Sequence, residues 1–359
     1  MKITIVGGGN IGTQLAVHFS EKGNEVTIYT TQPELFTDEL YILNEKNEVI
    51  HKAKKVKATS NPKEAFSCAE LIMITLPPNV INSVSELIYQ NADKSAFIGV
   101  VPGNGGGECD FKKCIERGNV FFGMERVPAI ARLIEKGRSV RCIGYRDELH
   151  ISSLPKKNID VCCELIYNLL DIPCNPIPNY LNLTLTPSNP ILHTSRLKTL
   201  FQDWKKGDTY ASIPLFYEEW DDASSELLLK CDDEVQEICS AFPEIELEYV
   251  KSLKEHYESY TVSDMTRKIS SIPAFKGIAT PSIKVNDGYI PDLNSRYFMA
   301  DFSYGLCIIK QVALFAKVQT PYIDSVLEWY NNLSCGKGGF DYNDYGIVDK
   351  DSFLKFYCQ

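Results

Sequence analysis

The segment Gly7-Gly8-Gly9-Asn10-Ile11-Gly12 constrains this chain more than any other. It holds the pattern G-x-G-x-x-G as Gly7, Gly9 and Gly12. Lys2–Val6 before it reads as a short apolar strand. Ile11–Lys22 after it reads as a helix with Ile11, Leu15 and Phe19 on one stripe, closed by Gly23. In that setting each glycine has a physical reason. Gly7 permits a tight turn out of the strand, Gly9 lets backbone approach a pyrophosphate, and Gly12 lets the helix lie close to the sheet. Phosphates would then rest on free N–H groups at the positive end of the helix dipole. Gly7, Gly9, Asn10, Ile11 and Gly12 are therefore the first expected cofactor-binding residues.

The pattern continues. Glu25–Thr30 is a second, β-branched strand, and Leu71–Leu76 is a buried-strand run ended by Pro77-Pro78. Val80–Tyr89 reads as a helix and Ala96–Val101 as a strand. Val120–Phe122 and Val140–Ile143 follow as strands, then Ile159–Leu170 as a helix. Such alternation implies an α/β fold, a Rossmann-type parallel sheet with helices on its faces. The ends of two strands extend the expected cofactor site through Thr30, Thr31, Leu76 and Pro77. An acid about 20 residues after the glycines would read the 2′-hydroxyl of NAD. This chain offers Tyr29, Thr30, Thr31 and Gln32 there, without an Arg. The reading leans to NADP(H) and leaves NAD(H) open. The basic run His51–Lys57 reads as a solvated strand edge.

With 359 residues the chain is long enough for two domains. Pro173, Pro176 and Pro178 mark a shift in character. Beyond them Pro190–Lys206, Trp220–Cys239, Glu244–Tyr260, Tyr304–Val318 and Pro321–Leu333 carry apolar residues at three- and four-residue spacing. Asn189 before Pro190 and Thr320 before Pro321 read as helix caps. The expected division is a Rossmann-type domain over 1–179, an all-α helical domain over 180–335 and a C-terminal tail over 336–359. Residues 335–339 read as a flexible connector.

Acids exceed bases by ten, which argues against nucleic acid as a partner. The N-terminal apolar run is too short for a signal peptide, and no run approaches the 18 apolar residues of a membrane span. Twelve Cys include no C-x-x-C pair, and the five His do not cluster with them, so no metal site is expected. Reduced thiols in a cytoplasmic protein are the expectation, with a homodimer favoured by prevalence alone.

Two places in the second half carry chemistry. Ser188-Asn189-Pro190-Ile191-Leu192-His193 starts a helix, with Asn189 and His193 four residues apart on one face. Arg296-Tyr297-Phe298-Met299-Ala300-Asp301 sets Arg and Asp around an apolar segment just before another helix. Taken alone, each has a plain structural explanation: a core histidine, and a local ion pair or cap.

Together, the Rossmann first half, the helical second half, Asn-Pro-x-x-His and the later Arg-x4-Asp resemble the octopine/opine dehydrogenase family over roughly residues 1–330. Family-like stretches include Thr75-Leu76-Pro77-Pro78, Val101-Pro102-Gly103-Asn104-Gly105-Gly106, and Tyr217-Glu218 ahead of Asp232–Glu234. The resemblance implies NAD(P)H-dependent condensation of an α-keto acid with an amino acid. It implies His193 as acid/base, Asp301 orienting it, Arg296 holding a substrate carboxylate and Asn189 near the substrate, in a pocket between the domains. Two departures stand beside it: Ala300 where the family usually has an acid, and Phe302-Ser303 where it has Ile-Pro. Trp204, Tyr210 and Tyr217 are candidate pocket aromatics, though aromatics at such spacing usually belong to the core. A ketopantoate-reductase-like enzyme, with Lys198 or Lys276 as acid, and a non-catalytic dinucleotide-binding protein are the alternatives.

Overall fold

The structure is a computed structural model that describes residues 1–186, 188–334 and 339–359. They form two compact units: Met1–Thr184 with Lys355–Gln359, and Leu185–Leu354. The connector read at 335–339 lies, Gly339 aside, outside the described residues.

The first unit contains β1 (Lys2–Val6), β2 (Glu25–Tyr29), β3 (Glu39–Leu43), β4 (Val49–Lys54), β5 (Lys57–Thr59) and β6 (Leu71–Ile74). After these come β7 (Phe97–Val100), β8 (Phe121–Met124), β9 (Ile130–Glu135), β10 (Ser139–Ile143), β11 (Leu149–Leu154) and β12 (Cys174–Pro176). Its main helices are α1 (Asn10–Glu21), α2 (Pro78–Asn91) and α3 (Ile159–Leu170). Eight strands form one sheet in the order β12-β11-β8-β7-β6-β1-β2-β5. Only β8 and β11 pair antiparallel. From β5 to β8 the order by chain position is 3-2-1-4-5-6, the doubly wound arrangement whose ligand crevice opens between strands 1 and 4. Those strands are β1 and β6, with β1 apolar inside (Ile3, Ile5 and Val6 buried) and β6 buried throughout.

A second sheet, β4-β3-β10-β9, is not evident in the sequence as a unit. Its strands come from two separated stretches, 39–54 and 130–143, so no local periodicity announces the pairing. The basic run 51–57 covers the end of β4, an edge strand of this sheet, and the first residue of β5.

The second unit is helical, with α4 (Asn189–Phe201), α5 (Asp222–Ser240), α6 (Val262–Ser271), α7 (Cys307–Ala316), α8 (Pro321–Ser334) and the first part of α9 (Lys350–Tyr357), whose last residues belong to the first unit. The helix expected over 244–260 reduces to Leu253–His256. Its apolar residues Ile245, Leu247, Val250 and Leu253 are buried, but by a series of turns after Pro243. The unit is not purely helical: β13 (Ser282–Val285) and β14 (Gly288–Pro291) form a hairpin around Asn286-Asp287. Asn-Asp-Gly is the local signal for it. The C-terminal residues are not a separate tail. Phe353 stacks near Phe242 in the second unit, whereas the Tyr357 hydroxyl donates to Glu108 of the first at 2.7 Å.

One segment runs against expectation: Arg296–Ala316 is a helical stretch long and apolar enough, by length and composition, to cross a membrane. Within the unit, 61 % of its apolar window is buried, as for a core helix.

Candidate active site and cofactor loop

The glycine loop follows β1 at the switch point. Gly7 takes φ +101°, and Gly12 lies so close that a Cβ would stand 1.8 Å from the Gly7 carbonyl oxygen. A Cβ on Gly9 would meet nothing within 4 Å, which leaves open space beside the helix start. Gly9 occupies the N-cap of α1 with no side-chain cap, so the first N–H groups stay available to an anion. The Thr75 hydroxyl donates to the carbonyls of Val6 and Gly7 at 3.0 and 3.1 Å, and Leu76 flanks Gly7. Pro77 caps α2. The loop therefore fits a bound pyrophosphate.

Two expected residues have other tasks. Asn10 Oδ1 accepts the Leu133 N–H at 2.8 Å, which ties α1 to β9, and Ile11 packs on the core. At the end of β2, Thr31 is exposed and the Thr30 hydroxyl accepts the Gln32 N–H at 3.3 Å. The first acid beyond is Glu34, in the turn Pro33–Leu35. The fold adds a cation that the local sequence lacks: Lys136, from the β9–β10 turn, donates to the Gln32 side chain.

The catalytic candidates all lie in the second unit. Ser188, rather than Asn189, stands at the N-cap of α4, so Asn189 is the first helical residue and Pro190 the second. Asn189 is half-buried one turn before His193. His193 is 2 % exposed and Asp301 7 %. Their side chains meet at 2.6 Å, Nδ1 to Oδ2. Two features allow this approach. Asp301 immediately precedes a π-turn, Phe302–Leu306, in which the Leu306 N–H donates to the Asp301 carbonyl at 2.8 Å. Such bulges redirect side chains. Gly305 in that turn lies against Pro190, where a Cβ would stand 2.6 Å from Cγ.

The other ring nitrogen of His193 is also engaged. Nε2 lies 2.6 Å from the Tyr217 hydroxyl. Tyr217 is buried, and burial pushes its phenol well above the usual range, so it stays protonated. With Asp301 accepting from Nδ1–H, the tautomer is set and Tyr217 donates to Nε2. Tyr297 stacks on the imidazole at 4.1 Å, and the exposed Arg296 guanidinium lies 5.3 Å from the Tyr297 ring centre. Among the described residues Arg296 pairs with no carboxylate, so its fork is available to one.

Sequence reasoning missed most of this scaffold. Arg196, one turn after His193, is fully buried. It donates to the carbonyls of Phe216 and Glu219 at 3.1 and 2.5 Å, and to Asp221 and Ser224 at 2.7 and 3.1 Å. It thus clamps the loop that carries Tyr217. Of the three aromatics considered, only Tyr217 reaches His193. The Trp204 indole donates to the Asp208 carbonyl, and Tyr210 pairs with the backbone of Tyr289. Lys198 donates to Ser325, and Lys276 is exposed.

Residues 176–334 match the family model for the NAD/NADP octopine/nopaline dehydrogenase α-helical domain, and residues 2–103 match that for the NAD-dependent glycerol-3-phosphate dehydrogenase N-terminus. Tauropine dehydrogenase of Arabella iricolor is 26 % identical, over 92 % of this chain and 91 % of its own. Octopine dehydrogenase of Pecten maximus is 26 % identical, over 92 % and 89 %. Among solved structures, octopine dehydrogenase with NADH and L-arginine is similar with a TM-score of 0.84 and 24 % identity, covering 99 % of this chain and 98 % of that one. Yersinopine dehydrogenase with NADP+ gives 0.69 at 12 % identity, covering 99 % of both chains. A 2-dehydropantoate 2-reductase gives 0.63 at 14 % identity, covering 93 % and 100 %. The fold and the two matched domains define an NAD(P)-dependent oxidoreductase with a helical second domain. The matched domains and the full-length relatives support the octopine/opine dehydrogenase family and an activity of the opine dehydrogenase type.

Proposed function

We propose that the chain condenses an α-keto acid with the amino group of an amino acid and reduces the resulting imine, with Asp301, His193 and Tyr217 as one proton path. The buried contacts of His193 to both neighbours at 2.6 Å carry this reading. Both ring nitrogens are engaged, so a proton from the substrate ammonium reaches Nε2 through the Tyr217 hydroxyl. Its oxygen accepts that proton while its own passes to Nε2. Asp301 stabilises the imidazolium so formed. The free amine then attacks the keto carbon, and one of its own protons moves to the resulting alkoxide to give the carbinolamine hydroxyl. The same path returns the proton to the departing hydroxyl, which leaves as water. Arg296 holds the keto-acid carboxylate in bidentate geometry, and Asn189 lies one turn from His193 for a further polar contact. Gly7, Gly9 and Gly12 would hold NAD(P)H, which when bound would supply the hydride for imine reduction.

We further infer a preference for NADPH. No acid follows β2 directly, Thr30 and Thr31 offer hydroxyls, and Lys136 brings a positive charge to Gln32, beside the position a 2′-phosphate would take. The ketopantoate-type reading has less support, since Lys198 is bonded to Ser325 and the structural likeness to that class is lower.

A matrix of keto acids against amino acids, with NADH and NADPH, tests the proposal. Cofactor oxidation that depends strictly on the amine is expected. Oxidation at full rate by a keto acid alone would overturn it. His193→Asn should abolish turnover and leave cofactor affinity unchanged. Lys136→Ala should lower the NADPH/NADH ratio of kcat/KM, and an unchanged ratio would refute the cofactor preference.

A further inference from the structure

The far end of α1 from the glycine loop holds a second cluster that the proposed reaction does not use. His18 and Glu21 stand three apart on the last turns of α1, and His51 faces them from β4. One ligand atom from each lies within 4.8 Å of the others. The two rings meet edge-on with centroids 4.8 Å apart, and His51 Nδ1 lies 2.8 Å from Glu21 Oε2. Glu21 Oε1 accepts the Lys52 N–H at 2.8 Å, which fixes the carboxylate against the strand. The cluster borders a surface hollow of about 430 Å³ that Lys22, Tyr145 and Asp171 also line.

We propose that His18, Glu21 and His51 form a binding site for a first-row divalent transition metal such as Zn2+ or Co2+. The donor set argues for this class. Two imidazole nitrogens and one carboxylate suit zinc, cobalt or nickel, whereas calcium and magnesium need more oxygens. Three protein ligands leave a fourth position open to solvent, toward the hollow. In a tetrahedral site with bonds near 2.05 Å, ligand atoms lie about 3.3 Å apart. The present spread of up to 4.8 Å closes to that by side-chain rotation, since Glu21 is exposed and both rings are half-buried.

The surroundings suit a cation. Lys22, the one ammonium among the described residues lining the hollow, is held by Asp171, so the pair adds no net charge. Lys52 is drawn to Glu39 on the neighbouring strand. The Tyr145 hydroxyl sits 3.3 Å from His18 Nε2. An ion here would fasten the end of α1 to the edge strand of the four-stranded sheet. It would lie about 14 Å along the helix from Gly9, clear of the cofactor loop.

Cobalt is the suitable probe because the chain also carries many thiols. Titration of the full chain with Co2+ should give visible d–d bands of nitrogen and oxygen ligation, saturating at one ion, without the near-ultraviolet thiolate charge-transfer band. Zn2+ should displace the cobalt and raise the melting temperature. His51→Gln and Glu21→Gln should each weaken cobalt binding at least tenfold, and their metal-free melting curves and NAD(P)H affinity should match the parent. A spectrum with only the thiolate band, or cobalt affinity unchanged in both variants, would overturn the site. None of these readouts depends on opine synthesis, so the site and the proposed reaction stand or fall separately.

Discussion

The proton path makes its sharpest prediction at Tyr217. Replacing it with phenylalanine removes one oxygen, 2.6 Å from His193 Nε2. The ring itself should stay. It stacks on Phe275 at 4.2 Å and meets Phe216 edge-on at 4.8 Å, and neither contact uses the hydroxyl. The stability cost is therefore that of a buried nitrogen left without a donor, about 1–3 kcal/mol. The kinetic cost should be larger. Positioned acid–base groups contribute about 10²–10⁴ in rate. If Tyr217 is the route to Nε2, kcat for amine-dependent cofactor oxidation should fall at least about 100-fold, or about 2.7 kcal/mol of barrier. Cofactor affinity should not change, because the glycine loop belongs to the other unit. Steady-state kinetics with saturating keto acid and varied amine, a cofactor titration and a thermal melt would measure all three. A kcat within threefold of the parent would refute the path. So would a lower KM for the amine with an unchanged or higher kcat: Tyr217 would then merely cover Nε2, and substrate would displace it.

Three other perturbations test how the site is held. Arg196→Met removes the donors to the Phe216 and Glu219 carbonyls and should cost about 2–5 kcal/mol in thermal unfolding. Its kcat should fall more than its KM rises, because Tyr217 loses its clamp; unchanged kcat in the folded variant would remove Arg196 from a positioning role. Gly305→Ala puts a methyl 2.6 Å from Pro190 Cγ, a strain of about 1–3 kcal/mol, and should depress kcat by parting His193 from Asp301 while cofactor affinity holds. Asp232 is buried against the Leu253 N–H, and burial raises its pKa from 3.8 to about 6. A carboxyl raised in the folded state contributes most stability below pH 3.8 and loses it as pH rises through 6. Asp232→Asn should therefore stabilise the chain at pH 8 by up to about 3 kcal/mol relative to its effect near pH 4. Equal effects of the substitution at both pH values would refute this.

How far the sequence can be read depends on how far apart the interacting residues lie. The glycine loop is legible because strand, turn and helix are contiguous and each glycine has a local reason. Ile159–Leu170 is legible for the same cause, as a 3.6-residue stripe of its own. The pair His193–Asp301 spans 108 residues and emerges only through resemblance to a family; nothing local to Asp301 signals that a π-turn will aim its carboxylate. Tyr217 is ambiguous for a different reason. An aromatic in an apolar stretch reads as core, and here it is core by burial and functional by one oxygen. The distinction rests on Arg196, whose guanidinium sets the Tyr217 loop through carbonyls, and carbonyls carry no sequence identity. The same holds for Lys136 at Gln32, and for His18, Glu21 and His51. In each case pairing in the four-stranded sheet, or its turn, brings together residues from distant stretches. Local chemistry is thus written in residue types, whereas the partners of those residues are written in strand register. A Lys, a Tyr or a pair of His that looks unremarkable along the chain becomes a candidate only after the register places a second charge or ring beside it.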